Sequence, residues 1–273
     1  MELSTTTPSP IEDFPVDIQA DRYVLRLAQT QKEIESALQL RYEVFNVELG
    51  GEQPVESTDG LEYDEFDFNC KHLIVVEKAT QKTVGTYRLN SIETAGKVQG
   101  FYSFSEFSIE DLPSEILMEA VEIGRACIAV EHRNTKVLFL LWKGLAAYIK
   151  GSKKRFLFGC CSIFTTDRAV GLRAYRQLER GKYLHDNFRV KPRTDKVCYL
   201  GDITESSEAV ELPGLFDMYL RIGAKVCGEP TVDLAFGTID FFVLFDERTL
   251  NDKYRRMFFG KTDGLEALPS PAL

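Results

Sequence analysis

The sequence predicts a single α/β domain with a mixed sheet flanked by helices. Apolar runs typical of buried strands alternate along the chain with segments of helical spacing. The clearest case is a strand–helix–strand unit over residues 120–163, which favours an α/β fold. The length of 273 residues suits one large domain or two small ones, and we expect one domain over residues 21–260.

The first half of the chain supplies strands and one helix around a polar excursion. Residues 1–20 contain three prolines and little periodicity, so we expect a mobile arm. The expected elements that follow are a strand over 23–28, a helix over 31–45, an irregular acidic excursion over 50–69, strands over 73–77 and 83–89, and an aromatic segment over 101–107 that leads into a short helix.

The second half begins with an apolar strand over 120–130. The expected elements after it are a helix over 136–150, a strand over 156–163, a basic amphipathic helix over 166–184, a helix over 213–222, a strand over 239–245, a last helix over 249–258 and a frayed tail over 261–273. Pro213 suits the first turn of its helix because proline lacks a backbone N–H.

The charge is distributed unevenly. The net charge of −9 argues against general nucleic-acid binding. Residues 150–196 nevertheless carry 13 basic and 4 acidic side chains, whereas both flanking regions are acidic. This basic segment indicates either a docking surface for an anionic partner or a pair of solvated helical faces.

Two charged residues interrupt the apolar strand EIGRACI. Glu122 and Arg125 are costly there unless they are paired or hydrogen-bonded. A regular strand would point them to opposite faces, and a bulge at Gly124 would bring them to one side. A bulge also frees backbone N–H groups that bind an oxyanion. The alternative is a buried ion pair that only fixes the fold.

A second charged cluster precedes this strand. Arg41 lies in LRYEVF, four acidic residues lie within 62–67, and Arg88 lies in GTYRL. Carboxylates surround an ammonium group and arginine offers a planar fork to a carboxylate, so the set suits a zwitterionic amino acid. For the acidic stretch alone, a solvated loop is the better interpretation.

Other kinds of site are disfavoured. The loop 131–136 lies where a helix N-terminus can hold phosphate, but it lacks the glycines of nucleotide loops. The three histidines lack metal-ligand spacing, so we expect no metal. The cysteines have no CxxC spacing, and we interpret them as reduced, buried and inert in a cytoplasmic protein.

The order of several motifs is similar to that of a known family. LRYEVFNVELG, HLIVVE, VGTYRL, GFYSFSEF, EIGRACI, LFLLWKGLAAYI and IDFFVLF resemble the bacterial ornithine-lipid N-acyltransferases and N-acyl amino acid synthases of the GNAT superfamily. The resemblance covers about residues 23–259. The chain is also similar, more distantly, to acyl-homoserine lactone synthases through Arg41–Phe45, the acidic pair Asp64 and Asp67, and Glu122–Arg125.

The resemblance implies transfer of a fatty acyl group, often 3-hydroxylated, from acyl carrier protein to the α-amine of an amino acid, usually ornithine. It implies a GNAT-like mixed, splayed sheet with the thioester in the splay. No resident cofactor is implied, because the donor's phosphopantetheine arm belongs to the co-substrate. Coenzyme A is the less favoured donor, since EHRNTKV replaces the usual Gly-rich pyrophosphate loop.

Roles for individual residues follow as hypotheses. Glu122 is the first choice of general base and Asp67 the second, with backbone N–H groups near Gly124 as the oxyanion site. Arg125 would orient Glu122 or hold the acceptor carboxylate. The other expected contacts are Arg41, Phe45, Asp64 and Arg88 for the substrates, Phe101 and Phe104 for the acyl chain, and Lys153, Lys154, Arg173 and Arg176 for the acidic carrier protein.

Two alternatives stay open. One is an autoinducer synthase that releases a lactone, and the other is a non-catalytic GNAT-like module that binds lipid or a carrier protein. A lipid product would also permit peripheral contact with the inner face of a membrane.

Overall fold

The structure, a computed structural model, describes residues 16–49, 59–95, 100–198 and 209–260. In these residues the strands are β1 (Asp17–Gln19), β2 (Tyr23–Leu27), β3 (Lys71–Glu77), β4 (Thr83–Ser91), β5 (Ala120–Ile128), β6 (Phe156–Ile163), β7 (Lys225–Val226), β8 (Thr231–Asp233) and β9 (Thr238–Asp246). The helices are α1 (Gln31–Tyr42), α2 (Ile92–Ala95), α3 (Ser114–Met118), α4 (Thr135–Ser152), α5 (Arg168–Arg180), α6 (Gly214–Ile222) and α7 (Asp252–Phe259).

The strands form one mixed sheet, as the sequence predicted. Its order is β1-β2-β3-β4-β5-β6-β9-β7, and β8 also pairs with β9. The pair of β5 and β6 is parallel and is joined through α4, whereas the other described pairs are antiparallel. The crossover over residues 120–163 is therefore the unit that the apolar runs indicated.

The sheet opens between β5 and β6. Pairing of the two strands covers only Ala120–Glu122 against Phe156–Phe158, although β5 continues to Ile128 and β6 to Ile163. Beyond that point β6 pairs with β9 on its other side, while β5 stays with β4. The backbone groups of β5 that face β6 beyond Glu122 therefore leave the ladder.

Each face of the sheet has its own core. On one face α4 packs closely on Leu25 and Leu73, since a Cβ atom at Gly144 would lie 2.8 Å from either leucine. On the other face, aromatic side chains of the segment after α2 pack against β6 and β9, including Phe101 and Phe107 on Phe158 and Phe242. The sheet therefore separates two apolar layers, one beneath α4 and one beneath the aromatic segment.

Three short strands of the sheet were not expected from the sequence. Asp17–Gln19, within the segment expected to be an arm, pairs with β2 as an edge strand. The short strands β7 and β8 were not predicted, because two or three residues carry no measurable periodicity. Residues 1–15, the tail over 261–273 and part of the expected acidic excursion lie outside the described residues.

Candidate active site

A bulge interrupts β5 at the centre of the molecule. Thr86 pairs with Cys127 and Arg88 with Gly124, so Arg125 and Ala126 together oppose Tyr87. The extra residue follows Gly124 rather than falling on it, which corrects the predicted position by one. Arg125 takes the left-handed conformation, with φ of 50°. Its ion pairs with Glu62 and Asp64 stabilise this conformation, so the bulge does not need glycine at that position.

A cavity of about 240 Å³ runs through the opening between the two strands. Glu122, Gly124 and Arg125 all line it. No atom lies within 4 Å of a Cβ atom built on Gly124, so this backbone borders open space. The bulge therefore brings the two charged side chains of EIGRACI to one cavity.

Glu122 is buried and accepts three hydrogen bonds. Its Oε1 accepts from the N–H and the hydroxyl of Ser103 at 2.7 and 2.6 Å, and its Oε2 accepts from the N–H of Tyr102 at 2.9 Å. Tyr102 and Ser103, which supply these donors, are the first two residues of the short 3₁₀ turn Tyr102–Ser105. Burial raises the pKa of Glu122, and the hydrogen bonds from Ser103 and the charge of Arg88 oppose that rise.

Three arginines and three carboxylates form a network next to the bulge. Arg41, which is fully buried, pairs with Glu62 and donates to both oxygens of Asp67 at 2.6 and 3.0 Å. Arg88 contacts Asp64 at 2.5 Å and Asp67 at 3.2 Å. The network balances three positive and three negative charges, which a buried site requires.

Arg125 completes this network. Its guanidinium donates to Glu62 at 3.1 Å and to Asp64 at 3.0 Å. It also lies over the rings of Phe236 and Tyr102, 4.3 and 4.9 Å from their centroids. Arg125 is thus oriented by the acidic stretch 62–67, which is a built part of the site and not a solvated loop.

Asp67 lies behind the cavity and not in its lining. Burial alone would raise its pKa, but the hydrogen bonds and charge of Arg41 lower it below the ordinary value of 3.8. Both of its oxygens are occupied by arginine and by the N–H of Asp64. This geometry makes Asp67 a positioning residue for the network rather than a proton acceptor.

The acyl-chain contacts differ from the expectation. Phe45 lines the cavity, but Phe101 and Phe104 lie in the aromatic core, stacked on each other with centroids 6.1 Å apart. Aromatic composition predicted burial there, but not which cavity wall it would reach. The apolar wall instead comes from the helical face of the sheet, with Trp142, Leu145, Ile149, Tyr219 and Phe258 among its members.

A second acidic group at the cavity was missed in the sequence. Asp240 on β9 lines the cavity, and its carboxyl oxygen lies within 4.8 Å of those of Glu106 and Asp233. All three residues are buried, and burial raises the pKa of Asp240 to about 6. The missed signal was an aspartate inside the apolar run IDFFVLF, which is the same pattern that marked Glu122.

The basic residues proposed for docking have different surroundings. Lys153 is exposed at the end of α4, and Arg173 and Arg176 are half-buried on α5. Lys154 instead pairs with Glu93 at 2.6 Å and donates to the carbonyl of Met118 at 2.6 Å. Lys154 is therefore committed to the fold, which counts against its expected docking role.

Two thiols line the cavity, those of Cys160 and Cys161, and burial raises the pKa of both, so neither is activated. Cys160 lines the cavity between the levels of Glu122 and Asp240, and burial raises its pKa well above the ordinary value. A thiol of this kind is a poor nucleophile at neutral pH.

Among the described residues, no helix combines the length and apolar character that crossing a bilayer requires.

Comparison with known proteins agrees with this geometry. Residues 40–143 match the family model described as an acetyltransferase (GNAT) domain. The crystal structure of the AHL synthase LasI superposes with a TM-score of 0.51 at 12% identity, covering 91% of this chain and all of that one. This likeness shows the fold, which is the splayed GNAT-like sheet that the motifs implied.

Similar sequences identify the family. An L-ornithine N(alpha)-acyltransferase of Brucella abortus (strain 2308) is 32% identical over 84% of this chain and 86% of its own length. One of Rhodobacter capsulatus is 30% identical over 89% of this chain and 96% of its own length. These matches confirm the resemblance found in the motifs: the chain is an acyltransferase and belongs to the L-ornithine N(alpha)-acyltransferase family.

Proposed function

We propose that this protein transfers a fatty acyl group from the thioester of acyl carrier protein to the α-amine of L-ornithine. The observation that carries the proposal is the cavity between β5 and β6, which joins an apolar wall on the helical face to Glu122, Arg88 and Arg125 on the other. An acyl chain suits the apolar wall, and an amino acid suits the charged end. The thioester then lies at the opening itself. The names of the curated relatives support ornithine as the acceptor.

Glu122 is the proposed general base. It borders the cavity, its raised pKa makes it a better proton acceptor than Asp67, and its carboxylate is fixed by Ser103 and Tyr102. Arg88 and Arg125 place two cations in the lining where the carboxylate of the acceptor would bind. These three side chains orient the amine toward the thioester.

The chemistry requires one deprotonation before attack. Glu122 takes a proton from the α-ammonium, directly or through water, and the free amine attacks the thioester carbonyl. The C–N bond forms, the C–S bond breaks, and the thiol leaves with a proton while a second proton passes to solvent. Backbone N–H groups of β5 near Gly124, which have left the ladder with β6, would hold the oxyanion.

We further propose that the acyl donor is acyl carrier protein rather than coenzyme A. The excess of basic residues in 150–196 suits a strongly acidic carrier protein, because complementary charge speeds docking. The loop 131–136 supports the same choice. Its Arg133 pairs with Glu48, which offsets the charge that this cation would offer to a pyrophosphate.

The test is direct transfer with purified components. The protein is incubated with 3-hydroxyacyl carrier protein or the same acyl group on coenzyme A, and with L-ornithine, glycine, L-glutamine or S-adenosylmethionine. We expect N-acylornithine by mass spectrometry, with the carrier-protein donor giving the higher kcat/KM. A lactone formed from S-adenosylmethionine, or full donor binding without any product, would contradict the proposal.

A further inference from the structure

Two buried polar side chains in the cavity have unused hydrogen-bonding atoms. Asp240 and Thr238 on β9 are 2% and 1% exposed, and both line the cavity. Within the described residues, Oδ1 of Asp240 and Oγ1 of Thr238 have no hydrogen-bond partner. Buried polar atoms are normally paired, so this wall is arranged to meet a donor that enters the cavity.

The charge around these atoms selects a cation. Glu106 and Asp233 lie beside Asp240, and Lys196 pairs with Glu106, so three carboxyl groups face one ammonium group. Burial raises the pKa of Asp240 to about 6, and the neighbouring side chains of Ser162 and Thr238 oppose that rise. The wall therefore carries excess negative charge in a buried place.

The oxygen atoms that have no partner suit an ammonium group better than a metal ion. Asp233 already accepts from the N–H groups of Ala235 and Phe236 through Oδ1 and from the hydroxyl of Tyr102 through Oδ2. Glu106 is engaged by Lys196. One carboxylate oxygen and one hydroxyl remain, whereas hard divalent cations take six or more oxygen ligands.

The distance from Glu122 fits a diamino acid. Glu122 pairs with Phe158, and Asp240 pairs with Ser162, four residues further along β6 on the same face. Four residues of strand correspond to about 13 Å, and two strand spacings of about 4.8 Å separate β5 from β9, so the two backbones lie about 16 Å apart. The side chains of Glu122 and Asp240, which both line the cavity, shorten this gap. The chain from the α- to the δ-nitrogen of ornithine spans about 6 Å at ordinary bond lengths, and a hydrogen bond of about 2.9 Å at each end extends the span to about 12 Å.

We propose that Asp240 and Thr238 bind the side-chain ammonium group of the acceptor, so that this wall selects amino acids with a terminal amine. This inference rests on the proposed function, because it requires the α-amine to lie at Glu122. Bound there, the side-chain amine is held away from the thioester, so the acyl group goes to the α-nitrogen.

The test compares L-ornithine with L-norvaline, which has the same carbon chain without the amine. In the Asp240→Asn variant, we expect the ratio of kcat/KM for ornithine over norvaline to fall about 10- to 100-fold, the usual effect of losing a charged hydrogen bond. Thr238→Val, which keeps the shape but removes the hydroxyl, should lower the same ratio several-fold. The Thr238→Val variant is an independent test of the inference if the Asp240→Asn variant folds poorly.

An unchanged ratio in both variants would overturn the inference while leaving the proposed function intact. A preference for ornithine that disappears with a chelator and returns with Mg²⁺ or Ca²⁺ would also overturn it, because the wall would then bind a metal. If the unaltered protein acylates neither acceptor, the proposed function fails and the inference fails with it.

Discussion

A Cβ atom built on Gly159 would lie 2.2 Å from the carbonyl oxygen of Ile123, closer than side chains approach a backbone oxygen. These two residues lie just past the last paired residues of β5 and β6, where the opening begins. The angle between the strands therefore depends on the absence of a side chain at residue 159. The cavity that crosses the sheet starts at this contact.

Gly159→Ala should change both stability and activity. The methyl group forces β6 away from β5, and we expect a loss of about 1–3 kcal/mol in the free energy of unfolding. Thermal unfolding and acyl transfer are the measurements. Gly214→Ala at the start of α6 is the control, because nothing lies within 4 Å of its Cβ position. Equal stability and activity of the two variants would show that the contact is dispensable.

Ser103→Ala should move the pH dependence of kcat. The hydroxyl of Ser103 donates to Glu122 at 2.6 Å and opposes the rise in pKa that burial causes. Without it the pKa of Glu122 rises further, and because a base must be ionised, the acidic limb of the profile moves to higher pH. Ser105→Ala alters the same turn but touches Tyr102 and Glu106 rather than Glu122. The pH profile of Ser105→Ala should match that of the unaltered protein. An identical shift in both variants would show that the hydrogen bond from Ser103 to Glu122 does not set the pH dependence.

Asp67→Asn should destabilise the protein and flatten its acid sensitivity. The change leaves Arg41 with less negative charge in a buried site, at a cost of about 3–5 kcal/mol. Because the folded pKa of Asp67 lies below its ordinary value of 3.8, its contribution is complete above that pH and is lost as pH falls below it. Urea unfolding at several pH values measures both effects.

A matched control for this variant is Asp217→Asn, which removes an exposed carboxylate from α6. We expect its effect to stay within about 0.5 kcal/mol, as for most surface substitutions. If Asp67→Asn costs no more than the control and keeps the same pH slope, the buried network is not what holds the acidic stretch in place.

Charge reversal at Lys153 and Arg176 should weaken use of the acyl carrier protein. We expect the donor KM to rise several-fold and its salt dependence to flatten, since complementary charge accelerates docking and salt screens it. Lys253→Glu, exposed on α7, is the control and should leave both quantities unchanged. If the double variant keeps the donor KM and the salt dependence of the unaltered protein, this surface does not take part in docking.

Local patterns predicted the centre of the fold well. The strand, helix and strand around residues 120–163 follow from long apolar runs, and the charges at Glu122 and Arg125 marked the site because buried ions need partners. The same rule, applied to Asp240 within IDFFVLF, would have indicated the second acidic group. It was missed because Glu106 lies far from Asp240 in the chain, so the cluster of three carboxyl groups has no local signature.

Long-range placement was not predictable from these patterns. The apolar character of Phe101 and Phe104 predicts burial but not where they are buried. Phe101 packs on Phe158 in the core, and the apolar wall of the cavity is formed by residues of α4, α6 and α7 instead. The bulge was misplaced by one residue because Arg125 adopts a conformation that glycine normally favours. Its ion pairs with Glu62 and Asp64, more than sixty residues earlier, have no local signature.

The most direct measurement is single-turnover acyl transfer by Glu122→Gln, with acyl carrier protein as donor and L-ornithine as acceptor across pH 6 to 9. Glutamine keeps the size of the side chain but cannot accept the proton. We expect the rate at neutral pH to fall about 100- to 10,000-fold, with recovery at high pH as the free amine becomes abundant. An undiminished rate at neutral pH, with product still acylated on the α-nitrogen, would contradict the assignment of Glu122 as the base in the opening between β5 and β6.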